Sequence, residues 1–276
     1  MATSSDLLVL DSSGVTRRRL LTDLWRSREM LFQLARADFR VRYKRAYLGL
    51  VWAVLLPLVQ ATVLAAVFSH FVRLQHGAGA NYAVFVLAGV LPWSYFASSV
   101  TAGSTAIVDG SDLTDKLWFP RAILPIASAL ANLVGLLVSM VALAAATLAF
   151  GVPLSPDLVL LVPGCVLLVL LTGALSLVLS ALHAYFRDVR YIVQAALLIG
   201  FYVSPIIYPP YLLQRYSGFL DFNPITGVLD VFRQATGQSD PHIGRALLVT
   251  FAVTIAATVI AVEAYRRHDR LFVDTL

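Results

Sequence analysis

Asp109-Gly110-Ser111-Asp112-Leu113-Thr114-Asp115-Lys116-Leu117-Trp118-Phe119-Pro120-Arg121 is a charged island between two long apolar runs. Asp112 can accept hydrogen bonds from the free backbone N–H groups of the next turn, Asp115 sits where a first helical turn is electropositive, and Lys116 lies toward the other end. Pro120 forbids continuation of that helix, yet its fixed φ suits the first turn of a new one. The pattern predicts helix, bend, helix, with the short helix lying across the ends of two spanning ones. An ordinary polar loop accounts for the same residues.

The runs flanking the island are those of an integral membrane protein. The 276-residue chain is 59% hydrophobic and 13% charged, whereas soluble domains are roughly 45–50% apolar. Crossing roughly 30 Å of hydrocarbon takes about 20 apolar residues. Six stretches reach or approach that length: 47–71, 82–108, 123–150, 157–182, 191–208 and 246–263, the fifth being short.

Lys and Arg orient the bundle. Ten precede the first span, two lie in the island, two flank Asp188 and three follow the last span, while the opposite segments hold only Arg73, Arg215, Arg233 and Arg245. The positive-inside rule then makes both termini cytosolic, and the net charge of +5 follows from this bias with no nucleic-acid partner. The first twenty residues lack the layout of a signal peptide, so 1–27 reads as a cytosolic arm. Cys165 is the single cysteine and the five histidines are scattered, which leaves no disulfide framework and no metal-ligand spacing.

Residues 28–46 read as an amphipathic helix at the membrane surface. Glu29, Gln33, Arg36, Arg40 and Lys44 share one face, Phe32, Ala35, Phe39 and Tyr43 fall beside it, and Asp38, Arg42 and Arg45 interrupt the far side. The domain 47–265 follows, with Pro57 and Pro92 placed to kink the first two spans. Aromatic side chains crowd those spans, among them Trp52, Phe68, Phe85, Trp93, Tyr95 and Phe96. They can line a conduit for a glycan or serve as packing and interfacial rings. Gly135, Ser139, Gly173 and Ser176 suit close helix packing in a tight hairpin of the third and fourth spans.

In the next inner loop Asp188 can pair with Arg187 or Arg190, or the two arginines can bind a phosphate. Beyond the fifth stretch, Asn223 can cap, Pro224 opens and Gly237 closes a helix whose apolar residues Ile225, Val228, Leu229 and Phe232 recur at helical spacing. It is too short to cross and is expected to be re-entrant or interfacial on the outer side. The tail 266–276 is cytosolic.

Apart from Asp157 and Glu263 at their edges, the six spans hold no Asp, Glu, Lys or Arg, and Asn132 and Gln194 are the most polar interior candidates. Ion-driven carriers use such groups. Nor is there a Gly-x-x-x-x-Gly-Lys-Ser/Thr phosphate loop. The chain reads as a transporter without its own energy source, and not as an enzyme.

The amphipathic helix, the six spans, Leu117-Trp118-Phe119-Pro120-Arg121-Ala122-Ile123-Leu124-Pro125, Tyr185-Phe186-Arg187-Asp188-Val189, Ser204-Pro205-Ile206-Ile207-Tyr208-Pro209 and Asn223-Pro224 together resemble the type-2 ABC exporter permeases of cell-surface polysaccharides. These are the Wzm-like and TarG-like subunits for O-antigen, teichoic acid and galactan. The resemblance implies an all-α fold of six spans with an interface helix, a cytosolic coupling helix and short outer re-entrant helices. It implies a homodimer in the inner membrane, bound by two copies of a separate ATPase that holds the ATP and Mg, so that this chain carries no cofactor. Asp112, Leu113, Asp115, Lys116, Leu117 and Trp118 would form the coupling helix, and the first and fifth spans the gate, with Tyr202 and Tyr208 joining the aromatics above as lining candidates. The substrate would be a polyprenyl-pyrophosphate-linked glycan. A drug or lipid permease, and a membrane-embedded glycosyltransferase using Asp109, Asp112 and Asp115, are the other readings.

Overall fold

Because a span must satisfy its backbone internally, the apolar runs fold as helices. The computed structural model describes residue 22 and residues 25–43, 49–70, 82–114, 119–152, 156–209, 217–238 and 243–268. The elements are α1 (Arg28–Tyr43), α2 (Val51–His70), α3 (Tyr82–Asp109), α4 (Ser111–Thr114), α5 (Ile123–Ala149), a 3-10 segment (Pro156–Leu160) running into α6 (Leu161–Tyr185), α7 (Val189–Val203), α8 (Ser217–Asp221), α9 (Thr226–Ala235) and α10 (Ile243–His268). Among the described residues there is no strand.

Among the described residues, five helical segments are long and apolar enough to cross a membrane, where six spans were expected: Val51–Ser69, Tyr82–Asp109, Ile123–Ala149, Pro156–Tyr185 and Gly244–Arg266. The fifth expected span is the 15-residue α7 followed by non-helical chain. At 1.5 Å per residue such a helix reaches about 22 Å, short of the roughly 30 Å of hydrocarbon. Pro205 is the reason for the stop. A residue before proline is driven from the helical region, and Ser204 is extended, at φ −72° and ψ 144°.

Helix α3 is the centre of the bundle. Its window of highest hydropathy is 78% buried, against 22% for that of α2, and α5 and α6 pack mainly onto it rather than on each other. The expected hairpin of the third and fourth spans is therefore two helices sharing one neighbour. Small residues set the crossings: a Cβ at Gly103 would lie 2.5 Å from the Ser176 hydroxyl of α6, and one at Gly135 would lie 3.4 Å from Ala53 of α2. Gly173 faces open space, with nothing within 4 Å, so the packing role expected for it is not taken.

The short helix expected near Asn223 forms as α9, fully inserted against α3, α6 and α10. The Asn223 side-chain oxygen accepts from the Ile225 N–H at 3.2 Å, in the turn ahead of the helix and not as its cap, a position that falls to Ile225. At the far end Gly237 takes a left-handed φ of 75°, and the Gln238 N–H returns to the Arg233 carbonyl at 2.8 Å, a closure of the Schellman type. The start of α9 is pressed onto α10, where the Thr250 hydroxyl lies 2.7 Å from the Pro224 carbonyl.

A Cβ at Gly227 would stand 2.6 Å from the Ala246 backbone, where no rotamer change relieves the clash. Gly227→Ala is expected to lower unfolding stability in detergent by about 1–3 kcal/mol. Gly173→Ala is expected to leave it unchanged or raise it by about 0.5–1 kcal/mol. Equal unfolding midpoints for the two variants would contradict this packing.

Candidate functional site

The island begins at the end of α3, where a Cβ at Gly110 would collide with the Leu124 side chain at 2.8 Å. Within the four-residue α4, Asp112 and Leu113 are exposed. Asp112 stands in the first turn rather than ahead of it, so it is not the cap that the sequence suggested. Asp115, Lys116, Leu117 and Trp118 lie outside the described residues. Past them the Pro120 carbonyl accepts from the Ile123 N–H at 3.0 Å, so the proline leads into α5 as expected.

Helix α1 is keyed to that return segment. Met30, Leu31 and Leu34 pack against Phe119, Ile123 and Leu124, with Ala106 of α3 beside them. Glu29, Gln33, Arg36 and Arg40 are exposed on the opposite side, as their spacing predicts, and Lys44 lies outside the described residues. The apolar stripe is rotated from the expected one: Ala35 is buried, but Phe32 is 65% exposed.

Asp38 and Arg42, which interrupt the amphipathic pattern, turn out to hold α1 to α5. Arg42 donates to Asp38 at 3.2 and 3.0 Å, to the Asn132 side-chain oxygen at 2.8 Å and to the Ser128 hydroxyl at 3.2 Å. Asn132, notable in sequence only as a polar residue inside a span, is thus an acceptor for a charge on another helix. Arg42 and Asn132 border a cavity of about 230 Å³ whose walls include Trp52, Pro57, Ser94 and Ser139.

The lining candidates divide. Phe85, Trp93, Tyr95 and Phe96 are buried in the chain's own core, with Trp93 against Phe96 and Phe201 at 5.4 and 6.0 Å between centroids. Phe85, Trp93 and Phe96 are enclosed by the chain's own helices and pack there, whereas Tyr95 also borders the cavity beside Arg42 and Asn132. Trp52 and Tyr202 are exposed, and Phe68 and Tyr208 are half-buried. Arg187, Asp188 and Arg190 are all exposed where α7 begins, and the ion pair expected as one alternative for Asp188 is not formed.

Charge-based reading placed Arg233 in an outer segment. In the fold it is 1% exposed and Asp230 is 2% exposed, with 3.6 Å between them. The guanidinium sits 3.9 Å from the Phe85 ring centroid and donates to the Pro205 carbonyl. The signal available in sequence was the i, i+3 spacing of an acid and a base inside an otherwise apolar short helix.

A bundle of membrane-crossing helices with a polar island keyed to a surface helix at one end, and an inserted half-helix at the other, is the build of a multi-pass membrane permease. The chain belongs to the ABC-2 type transporter family, which matches residues 29–236. It is similar to the O-antigen export system permease proteins RfbA of Myxococcus xanthus, 26% identical over 94% of this chain and 99% of that protein, and of Klebsiella pneumoniae, 25% identical over 90% and 95%. The polysialic acid transport protein KpsM of Escherichia coli is 22% identical over 84% and 90%. Over most of its length this chain is thus an ABC-2 type transporter similar to permeases named for polysaccharide export.

Hydrogen bonds to a charged group contribute about 1.5–3 kcal/mol each. Asn132→Leu is therefore expected to speed amide exchange in α1 by about tenfold or more while leaving α6 unchanged. Unaltered exchange in α1, read by mass spectrometry, would show that Arg42 holds nothing in place.

Proposed function

We propose that this chain is the permease subunit of an ATP-driven exporter that carries a polyprenyl-pyrophosphate-linked cell-surface polysaccharide across the inner membrane. The observation that carries the reading is its likeness, over nearly the whole length of each, to permeases for O-antigen export and polysialic acid transport. The glycan belongs to the O-antigen, teichoic acid or galactan class. Nineteen arginines against two lysines suit a GC-rich genome and tilt the choice toward galactan.

Two copies of this chain enclose the pathway, and two copies of a separate cytosolic ATPase bind ATP and Mg. Both termini of the permease are on the ATPase side. ATP binding draws the ATPase subunits together, and the island passes that displacement to α3 and α5, whose ends it joins. The exposed Asp112 and Leu113 support this contact, as does the rigid seating of Phe119 and Leu124 on α1. Arg187 and Arg190, exposed and adjoining Tyr191, take the phosphates of the lipid carrier, for which paired guanidinium groups are suited.

Copurification with the tagged chain should yield an ABC ATPase, and depletion should cause a lipid-linked glycan to accumulate. Accumulation of a drug or of a free lipid in its place rules the glycan out. Asp112→Ala combined with Lys116→Ala is expected to lower both ATPase association and export by about tenfold. Arg187→Ala with Arg190→Ala is expected to lower export by a similar factor, roughly that of lost charge-assisted contacts, while ATPase association stays normal. Full export by either pair would sink the role assigned to it.

A further inference from the structure

Helix α7 is loosely held and its continuation is tightly held. Along α7 only Val189, Val193 and Phe201 are buried, and Tyr202 is 63% exposed. The next six residues, Ser204 to Pro209, are buried except for the half-buried Tyr208. Having left the helix, this segment has carbonyls without i→i−4 partners, in a place where no bulk water can serve them.

Side chains of α3 and α9 supply donors to those carbonyls, and Asn223 ties down the Ser204 side chain. The Tyr82 hydroxyl of α3 donates to the Ile207 carbonyl at 2.7 Å. The Asn223 amide donates to the Ser204 hydroxyl at 2.8 Å. Arg233 of α9 donates to the Pro205 carbonyl and approaches that of Ile206 at 3.5 Å. Gly89 lets the segment lie directly on α3, since a Cβ there would be 3.0 Å from the Ile206 carbonyl oxygen.

Burying a guanidinium is costly. A neutral amide could serve one carbonyl without that cost. What arginine adds is a planar face to stack on Phe85 and a second nitrogen that Asp230 orients, while its Nη2 alone serves the adjacent carbonyls. We propose that Arg233 is a positioning residue for the exit: it locks Ser204 to Pro209 onto α3 and α9, making the far end of α7 a fixed pivot that keeps the pathway shut between strokes. The inference rests on the export function proposed above.

The test uses the complete complex of permease and ATPase in vesicles loaded with a small fluorescent anion. Without ATP, Arg233→Met is expected to release dye about tenfold faster than wild type, the population shift expected from losing one charge-assisted hydrogen bond. Arg233→Lys should be intermediate, and ATPase association and hydrolysis should stay near wild type. Should Arg233→Met fail to assemble, Tyr82→Phe removes a single donor and is expected to leak about threefold faster, in line with a neutral hydrogen bond. Vesicles as tight as wild type with whichever of these two variants assembles overturn the proposal. A wild-type complex that exports no glycan, alongside a leaking Arg233→Met, would overturn the export reading and leave the lock standing.

Discussion

A peptide carbonyl inside hydrocarbon has no water to turn to, and this constraint governs both the regular and the irregular parts of the molecule. Where the chain is helical the need is met within the helix, so α2, α5 and α10 can expose long apolar faces. Where it breaks, at Ser204 to Pro209, other elements must bring donors to it. That requirement draws Tyr82, Asn223 and Arg233 to one point and fixes α9 between α3, α6 and α10.

The other end is held by a different balance. Apolar packing of Met30, Leu31 and Leu34 on the island's return segment sets α1 in place, and Arg42 adds direction by reaching across to Asn132 and Ser128. A surface helix held only by its apolar stripe could slide along its support. One with a charged fork in a polar notch of the neighbouring helix keeps its register. Movement of α1 is thereby movement of α5, which also receives the chain from the island.

The apolar runs were legible because lipid asks the same thing of every outward side chain, whatever lies behind it. The short inserted helix was legible from Asn223, Pro224 and Gly237, whose roles are local. Arg233 was not, because its acceptors lie 28 residues earlier in the chain and no local window connects them. Asn132 stood out as polar, but its partner Arg42 is 90 residues away. The rings of Phe85, Trp93, Tyr95 and Phe96 stayed ambiguous between lining and packing for another reason: composition counts aromatics without telling which of them face inward. The fifth stretch is helical only to Val203, although Pro205 was in plain view. Hydropathy continues through the proline, and only the backbone registers the stop.

Helix α3 has 28 residues, which makes it about 42 Å long, some 12 Å more than the hydrocarbon is thick. It carries the island at one tip and, at the other, the Tyr82 hydroxyl that holds Ile207. Pro92 removes one backbone hydrogen bond along it, yet the helix runs unbroken from tip to tip beside α5 and α6, which pack onto it. On the export reading proposed above, the two faces of the membrane are therefore joined by one continuous helix rather than by a relay of separate segments.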